Sequence, residues 1–423
     1  MFPKVKKLKK IIYLDHAAAT PLDRGVKQAM EPFFSDKFGN PSALYKKGRE
    51  AKQAVEDARN SIARIINASP SEIIFTAGGT ESVNLAIFGI ARNHAEKTAV
   101  AKSRRKAPHI ITSAIEHHCV INSFKALAGE GYKASFIEVD TDGVINLDKL
   151  KKSIRPETVF ISVMLANNEI GTIEPVAEIA RWLKGENQNR QKKNLPRIIF
   201  HTDACQAAGF LDLDINKLGV DLLSVNGSKI YGPKQSGFLY IKSGIQLRPL
   251  LYGGGQEKNL RSGTENVAGA VGLAKALELV TKTGKKESLR LEGLTDYLSK
   301  QLFKKIPRIL LNGPAKKELK VSAKVGNNKL NRLPNNLNLS IKGLDGEALM
   351  LYLDSYGICV STSSACSTGN ADPSHVLLAL GRSEGESKSS IRFTLGKETK
   401  KADLDYLIKI FPSLVYELRR VKK

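Results

Sequence analysis

Four stretches of the chain hold side chains that could do chemistry together. Lys229 lies in the glycine turn "SVNGSKIYGPKQSG", and Asp203 closes the apolar run of "RIIFHTDACQ". A glycine pair opens a helical pattern in "FTAGGTESVN", and a thiol, Cys366, sits in "STSSACSTGNADPS". A lysine moved out of water has a lowered pKa and becomes an amine suited to a Schiff base; one left in water is an ordinary surface charge. A carboxylate at a strand end costs several kcal/mol to bury unless it meets a partner. Asp203 therefore either caps a helix or pairs with a cationic ring nitrogen. Gly78 and Gly79 let the backbone turn tightly, and Thr80 can cap a helix whose first amides would accept a phosphate, although such turns also serve structure alone. Small polar neighbours give Cys366 the setting of an exposed loop, whereas Cys359 in "GICV" reads as a packed thiol. A thiol with a pKa near ~8.5 is only slightly ionised at neutral pH, yet its thiolate is strongly nucleophilic. Phosphate cradle, carboxylate and lysine together match the three handles of pyridoxal phosphate.

The elements that must position these groups follow from apolar patterning. Short β-rich runs, "EIIF", "HIIT", "ASFIEV", "TVFISVML", "RIIFHTD", "DLLSV" and "GFLYI", alternate with amphipathic helices such as Thr80–Asn93 and His118–Gly129. Fully apolar strands alternating with helices predict an α/β fold with a mainly parallel sheet covered on both faces, and ligands in such sheets bind beyond the carboxyl ends of the strands. After Gly263 the pattern changes to two long helices, Glu265–Lys282 and Lys286–Lys305. Strands follow at Asn336–Ile341, Ile358–Ser361 and Ser389–Thr394. A large domain over 16–264 and a smaller α+β domain over 265–423, joined by residues 1–15, are expected.

Bulk composition narrows the classes. The 423 residues are 42% hydrophobic and 26% charged, which fits a soluble globular protein. No apolar run reaches the ~18–20 residues of a membrane helix, and the basic start meets Asp15 too early for a signal-peptide core, so a cytoplasmic protein is expected. Cysteines 119, 205, 359 and 366 have no metal-ligand spacing and are too few for a disulfide framework. Cys119 and Cys205 are read as packing residues. The net charge of +24 comes from dispersed clusters, "KVKKLKK", "KSRRK", "NRQKK", "AKKELKVSAK" and "RRVKK", three of them read as insertions between regular elements. A dedicated nucleic-acid binder concentrates charge on one element, so dispersed lysines point to solubility and direct nucleic-acid binding is not expected.

A longer series of motifs is more specific. In chain order stand "YLDHAAATP", "FGNPS", "FTAGGTES", "IEHH", "NNEIG", "DACQ", "KIYGPK", "GGGQE", "RSGTEN", "SSACS", "PSHVLLALG" and "SSIRFTLG". Spanning nearly the whole chain, the series resembles the class V aminotransferase group and, within it, the long-loop cysteine desulfurases related to those of iron–sulfur assembly. The resemblance implies the aspartate aminotransferase-like fold (type I) of pyridoxal phosphate enzymes. It also implies conversion of L-cysteine to L-alanine with a persulfide left on the enzyme. Lys229 would hold the cofactor as a Schiff base and then move protons. Asp203 would pair with the ring nitrogen, Gln206 would donate to the ring oxygen, and His117 would stack on the ring. Gly79 and Thr80, with Asn226 and Ser228, would bind the phosphate. Thr264 would reach the phosphate of a neighbouring subunit, implying a homodimer. Arg392 would clamp the substrate carboxylate with support from Asn168. Cys366 would attack the substrate sulfur, carry it to an acceptor (a cluster scaffold or a tRNA-thiolation enzyme) and transiently ligate a cluster; no resident metal is implied.

Two positions depart from the pattern. Family members carry serine–glycine–histidine–lysine where this chain has Asn226, Gly227, Ser228 and Lys229, and a histidine where Tyr45 stands. Two rivals share the fold: a lyase or aminotransferase acting on another amino acid such as selenocysteine, and a non-catalytic basic scaffold. Transamination needs no loop thiol, and a scaffold predicts loss of the catalytic side chains, all of which are present.

Overall fold

Seven strands assemble in the order Ile73–Thr76, Gly237–Ile241, Leu222–Asn226, Ile199–Asp203, Thr158–Ser162, His109–Ser113, Lys133–Ile137. All seven apolar runs expected from sequence are found. Every pairing is parallel except that Gly237–Ile241 runs antiparallel to both its neighbours. The computed structural model describes residues 11–100, 107–315, 324–325, 328–329, 331–362 and 372–421.

The sheet is buried on both sides because successive residues serve different cores. Ile73, Ile111, Ile161, Leu223 and Tyr240 enter one apolar cluster; their neighbours Ile74, Ile110, Phe160, Leu222 and Leu239 enter another. Buried histidines stitch the strands. His201 bridges the hydroxyls of Ser162 and Ser224 (2.8 and 2.9 Å), and His109 bridges those of Thr158 and Ser135. Burial lowers both to about 4, so at neutral pH they are uncharged cross-links.

A second core joins Leu291, Leu298 and Leu302 to the antiparallel sheet Ser390–Thr394, Asn336–Ile341, Ile309–Asn312 and to the helix Lys401–Val421. Ile12 and Leu14 belong to it, and Ile12–Tyr13 pairs in parallel with Ile358–Cys359. Here the sequence reading needs three corrections. The two helices expected over 265–305 are one, Val267–Lys305, with Ala268–Leu277 in the first core and Leu291–Leu302 in the second. Gly284 lies inside it at a cost of about 1 kcal/mol, which apolar burial at both ends outweighs. The proposed domain division at 264/265 falls just before this shared helix. Second, "NRQKK" is no insertion but the end of the helix Val176–Lys192. Its Arg190 is buried, and its guanidinium donates to the carbonyls of Arg155, Pro156, Thr158 and Pro196. Third, Cys359 is only half-buried, with its sulfur 4.0 Å from Asp354 Oδ1.

Candidate active site

Register brings the proposed site residues to one edge of the large sheet. Asp203 ends its strand beside Ser224, two residues before Asn226; Asn226 faces Gly237, which in turn faces Thr76. The turns that leave this edge carry Gly79, Asp203, Gln206, Asn226, Ser228 and Lys229, and the adjacent strand His109–Ser113 leads to His117.

At one end is a cradle without formal charge. Gly78 has φ +142°, a conformation that favours glycine, and Gly79 starts the helix Gly79–Val100. A Cβ on Gly79 would lie 2.6 Å from Cys205 Sγ and 3.4 Å from Asn226 Nδ2, so only glycine lets these groups converge on the helix start. Thr80 is exposed beside it. Asn226 Oδ1 accepts from both the N–H and the hydroxyl of Ser228 (3.1 and 3.0 Å), which turns the amide Nδ2 toward Gly79. The two residues are thus linked in series rather than standing as parallel donors. Thr264 is exposed and lines a cavity of about 260 Å³ with Ala77, Gly237 and Arg261.

Asp203 is 6% exposed; its Oδ1 accepts from the Cys205 N–H, and among the described residues it makes no salt bridge. This bond closes a turn and not a helix cap, since turns follow and the next helix, Ile215–Leu218, is capped by Asp214; among the described residues the charge is left without a cation. His117 caps the helix His118–Gly129, its Nδ1 accepting from Cys119 N–H at 3.2 Å. Burial lowers its pKa; Asp203 opposes that shift and Lys229 adds to it, which places His117 in the field of both. With Nδ1 an acceptor, the neutral ring carries its proton on Nε2. Burial also raises the Cys119 and Cys205 thiols, so neither is a thiolate at neutral pH.

Lys229 ends the turn Gly227–Lys229, and its Nζ donates to Ala17 O and Ala18 O at 2.9 and 2.5 Å. Gln206 Nε2 donates to the same Ala17 carbonyl at 2.9 Å. These carbonyls were not singled out from sequence, although "YLDHAAATP" was; a main-chain acceptor has no side-chain signature.

At the other end the groups are charged and buried. Arg392, on the strand Ser390–Thr394, is 4% exposed. Its Nη1 donates to Asn168 O (3.0 Å) and its Nη2 to Asp15 Oδ1 (2.8 Å), while its buried Nε has no partner among the described residues. Asn168 therefore supports Arg392 through its carbonyl. Next to it, Glu169 is buried and accepts from the Ser374 hydroxyl at 2.6 Å; burial pushes it up to about 7, with Ser374 and Arg392 pulling the other way. Asp15 and Glu169 were missed in the sequence reading. Cys366 and its loop, residues 363–371, lie outside the described residues.

The residues fit pyridoxal phosphate on structural grounds. A glycine-only cradle meets a helix start and an amine stands at the same sheet edge; among the described residues a buried carboxylate lacks a cation and a guanidinium has a buried donor to spare.

The aminotransferase class-V family profile matches residues 12–407. A cysteine desulfurase IscS of Dictyoglomus turgidum is 44% identical over 414 residues, covering 98% of this chain and 97% of that protein. The solved structure of a NifS-like protein superposes with a TM-score of 0.84 at 33% identity, covering 96% of this chain and all (100%) of that one. SspA in complex with cysteine superposes with a TM-score of 0.73 at 33% identity, covering 91% and 98%. Among the described residues no helix is long and apolar enough to cross a membrane.

Proposed function

The chain belongs to the aminotransferase class-V family, and from that premise we propose that it is a pyridoxal-phosphate-dependent cysteine desulfurase. It takes L-cysteine, releases L-alanine and keeps the sulfur as a persulfide on Cys366. The observation that carries this reading is the convergence of Lys229, the cation-free Asp203 and the Gly79 cradle on one sheet edge. The relatives named as cysteine desulfurase, and SspA solved with cysteine, support the substrate.

Bound pyridoxal phosphate supplies an electron sink for bonds at the substrate α-carbon. Asp203 offers its charge to the ring nitrogen and so keeps that nitrogen protonated. Gly79 and Thr80 present the unpaired amides of a helix start to the phosphate, and Asn226 adds its amide. Lys229 would hold the cofactor through its amine, and the same amine would take and return protons on the substrate carbons. Gln206 and His117 flank the ring, with Nε2–H of His117 available as a neutral donor. Arg392 receives the substrate carboxylate, which answers its orphaned Nε. The Cys366 thiolate attacks the substrate sulfur: an S–S bond forms as the carbon–sulfur bond breaks. The released electron pair stays with the carbon skeleton, which is protonated and leaves as L-alanine.

The persulfide is handed to an acceptor, either a cluster scaffold for iron–sulfur assembly or a tRNA-thiolation enzyme. The enzyme is cytoplasmic and homodimeric in this reading, with the exposed Thr264 serving the neighbouring subunit's phosphate.

The test is an assay of purified protein with pyridoxal phosphate and L-cysteine, following alanine and sulfide under reductant. Wild type makes both. Cys366→Ala keeps the yellow lysine-bound cofactor but makes neither product, and Lys229→Ala loses the lysine-bound chromophore. A yellow wild-type protein that forms no alanine would overturn the reading.

A further inference from the structure

One short segment touches both ends of the site. Residues 14–17 are fastened to the strand that carries Arg392: Thr394 N–H donates to Leu14 O (2.8 Å), His16 N–H to Thr394 O (3.2 Å) and Ala17 N–H to Thr394 Oγ1 (2.9 Å). Residues 17–20 are fastened to the lysine turn. Lys229 Nζ donates to Ala17 O and Ala18 O, and both the N–H and the hydroxyl of Thr20 donate to Ser228 O (2.9 and 3.0 Å). Within this strap the side chain that faces the guanidinium is Asp15, 2.8 Å from Arg392 Nη2.

We propose that Asp15 is a positioning residue for the substrate carboxylate. Its own carboxylate, held by the strap, fixes the plane of the Arg392 fork in register with the Lys229 amine. The proposal rests on the reading of Arg392 as the carboxylate clamp. A guanidinium binds a carboxylate best through two parallel N–H bonds, so the plane of its fork decides affinity. Asn168 O holds only Nη1, and Nε has no partner among the described residues, so Asp15 supplies the second fixed point. Because Asp15 lies five residues before Thr20, whose N–H and hydroxyl both donate to Ser228 O, one chain segment ties the fork to the lysine turn whether or not the amine itself is bonded to the cofactor. Asp15 touches neither substrate nor cofactor in this arrangement and acts through Arg392. As a like charge it competes with the substrate carboxylate, and we assign the positioning effect as the larger.

Binding to the holoenzyme separates these roles. L-Alanine and L-alaninol have the same amine, and only the first has a carboxylate; each is titrated against the cofactor absorbance band. Asp15→Asn keeps an acceptor in place without the charge, Asp15→Ala removes both, and Asp15→Ser runs beside it in case the alanine variant does not fold. The expected result is L-alanine affinity within about twofold of wild type for Asp15→Asn and about tenfold weaker for Asp15→Ala or Asp15→Ser, with L-alaninol unchanged throughout. Equal weakening of both ligands would reduce Asp15 to a structural role. Tighter L-alanine binding in Asp15→Ala or Asp15→Ser would make it a mere competitor. Either overturns the proposal. Failure of the desulfurase reading is separate: it would appear as wild type that binds L-alanine but forms none from L-cysteine.

Discussion

The two ends of the proposed site both receive an anion, and they are built from opposite materials. At the phosphate end stand a glycine-only helix start, an amide and a hydroxyl: Gly79, Asn226 and Ser228, none of which titrates. At the carboxylate end stand a buried guanidinium, a carboxylate partner and an enclosed acid: Arg392, Asp15 and Glu169. Neutral dipoles fixed by backbone suit a ligand that stays, and they bring no titrating group of their own to its phosphate. Buried charges give a stronger and more directional grip, but each must be partnered, and the partners compete with the ligand. A cofactor anchor has no need of release; a substrate clamp does.

The largest break in this comparison comes from removing the guanidinium. Arg392→Ala deletes the clamp and leaves Asp15 without its cation. Truncating one member of a buried charge pair costs about 2–5 kcal/mol, so kcat/KM for L-cysteine is expected to fall roughly 30- to 5,000-fold. Cofactor affinity, measured by titrating apoprotein, stays near wild type. A parallel loss of cofactor would show that the two ends are one unit.

A pH experiment sharpens the contrast. Burial raises Glu169 to about 7, so between its ordinary value near 4.5 and 7 the folded chain keeps a proton that the unfolded chain has lost. Its contribution to stability is therefore fully present below about 4.5 and lost as pH rises through about 7, with a limiting slope of about 1.4 kcal/mol per pH unit. Glu169→Gln removes that share: the stability difference between variant and wild type, from urea unfolding at pH 5 and pH 8, moves by about 2 kcal/mol in favour of the variant at the higher pH. A constant difference would mean that Glu169 ionises normally.

Next in size is a methyl group at the neutral end. The Cβ of Gly79→Ala would stand 2.6 Å from Cys205 Sγ, and the helix start must shift to admit it. Overpacking of this kind costs about 1–3 kcal/mol, read here as cofactor binding at least about tenfold weaker with KM for L-cysteine unchanged. Cys205→Ala in the same chain removes the clashing sulfur and restores much of the affinity. Without that rescue, Cys205 is not what confines the cradle.

The sheet was legible because a strand buried on both faces must be apolar throughout, and "TVFISVML" or "GFLYI" has no other way to hide its side chains. Lys229 and Asp203 were singled out by residue type at strand ends, and Arg392 by the family resemblance; the structure adds where each of them lies. What sequence did not show was environment. Arg190 reads as one more charge in a basic cluster, yet it is buried under four carbonyl bonds. Glu169 looks like any acid in "NNEIG" until the packing of Asn336 and Asn338 against its carbonyl is known. The Ala17 and Ala18 carbonyls could not be read at all, since every residue offers the same oxygen. Nor is the single helix across Gly284 a local property, because its ends are stabilised by two different cores.

The smallest effect tests the departure at position 228. Family members place a titratable ring there; this chain has a hydroxyl whose bond goes to Asn226 Oδ1 at 3.0 Å. In the proposed site Ser228 would therefore act on the phosphate through the orientation of the Asn226 amide, and the backbone N–H of the same residue keeps one bond to that oxygen at 3.1 Å. Removing the hydroxyl forfeits one neutral hydrogen bond, about 1 kcal/mol, so Ser228→Ala is expected to bind pyridoxal phosphate roughly fivefold more weakly. Pyridoxal, which lacks the phosphate, should bind both forms equally. The ratio of the two phosphate affinities should also stay level from pH 6 to pH 8, because nothing exchanged there titrates. Ser228→His supplies the contrast: its cofactor affinity should tighten as pH falls through the ordinary imidazole value near ~6.5, where the ring gains a charge. If Ser228→Ala instead shows a pH-dependent loss, a titrating group already serves the phosphate, and the division between a neutral anchor and a charged clamp fails at its neutral end.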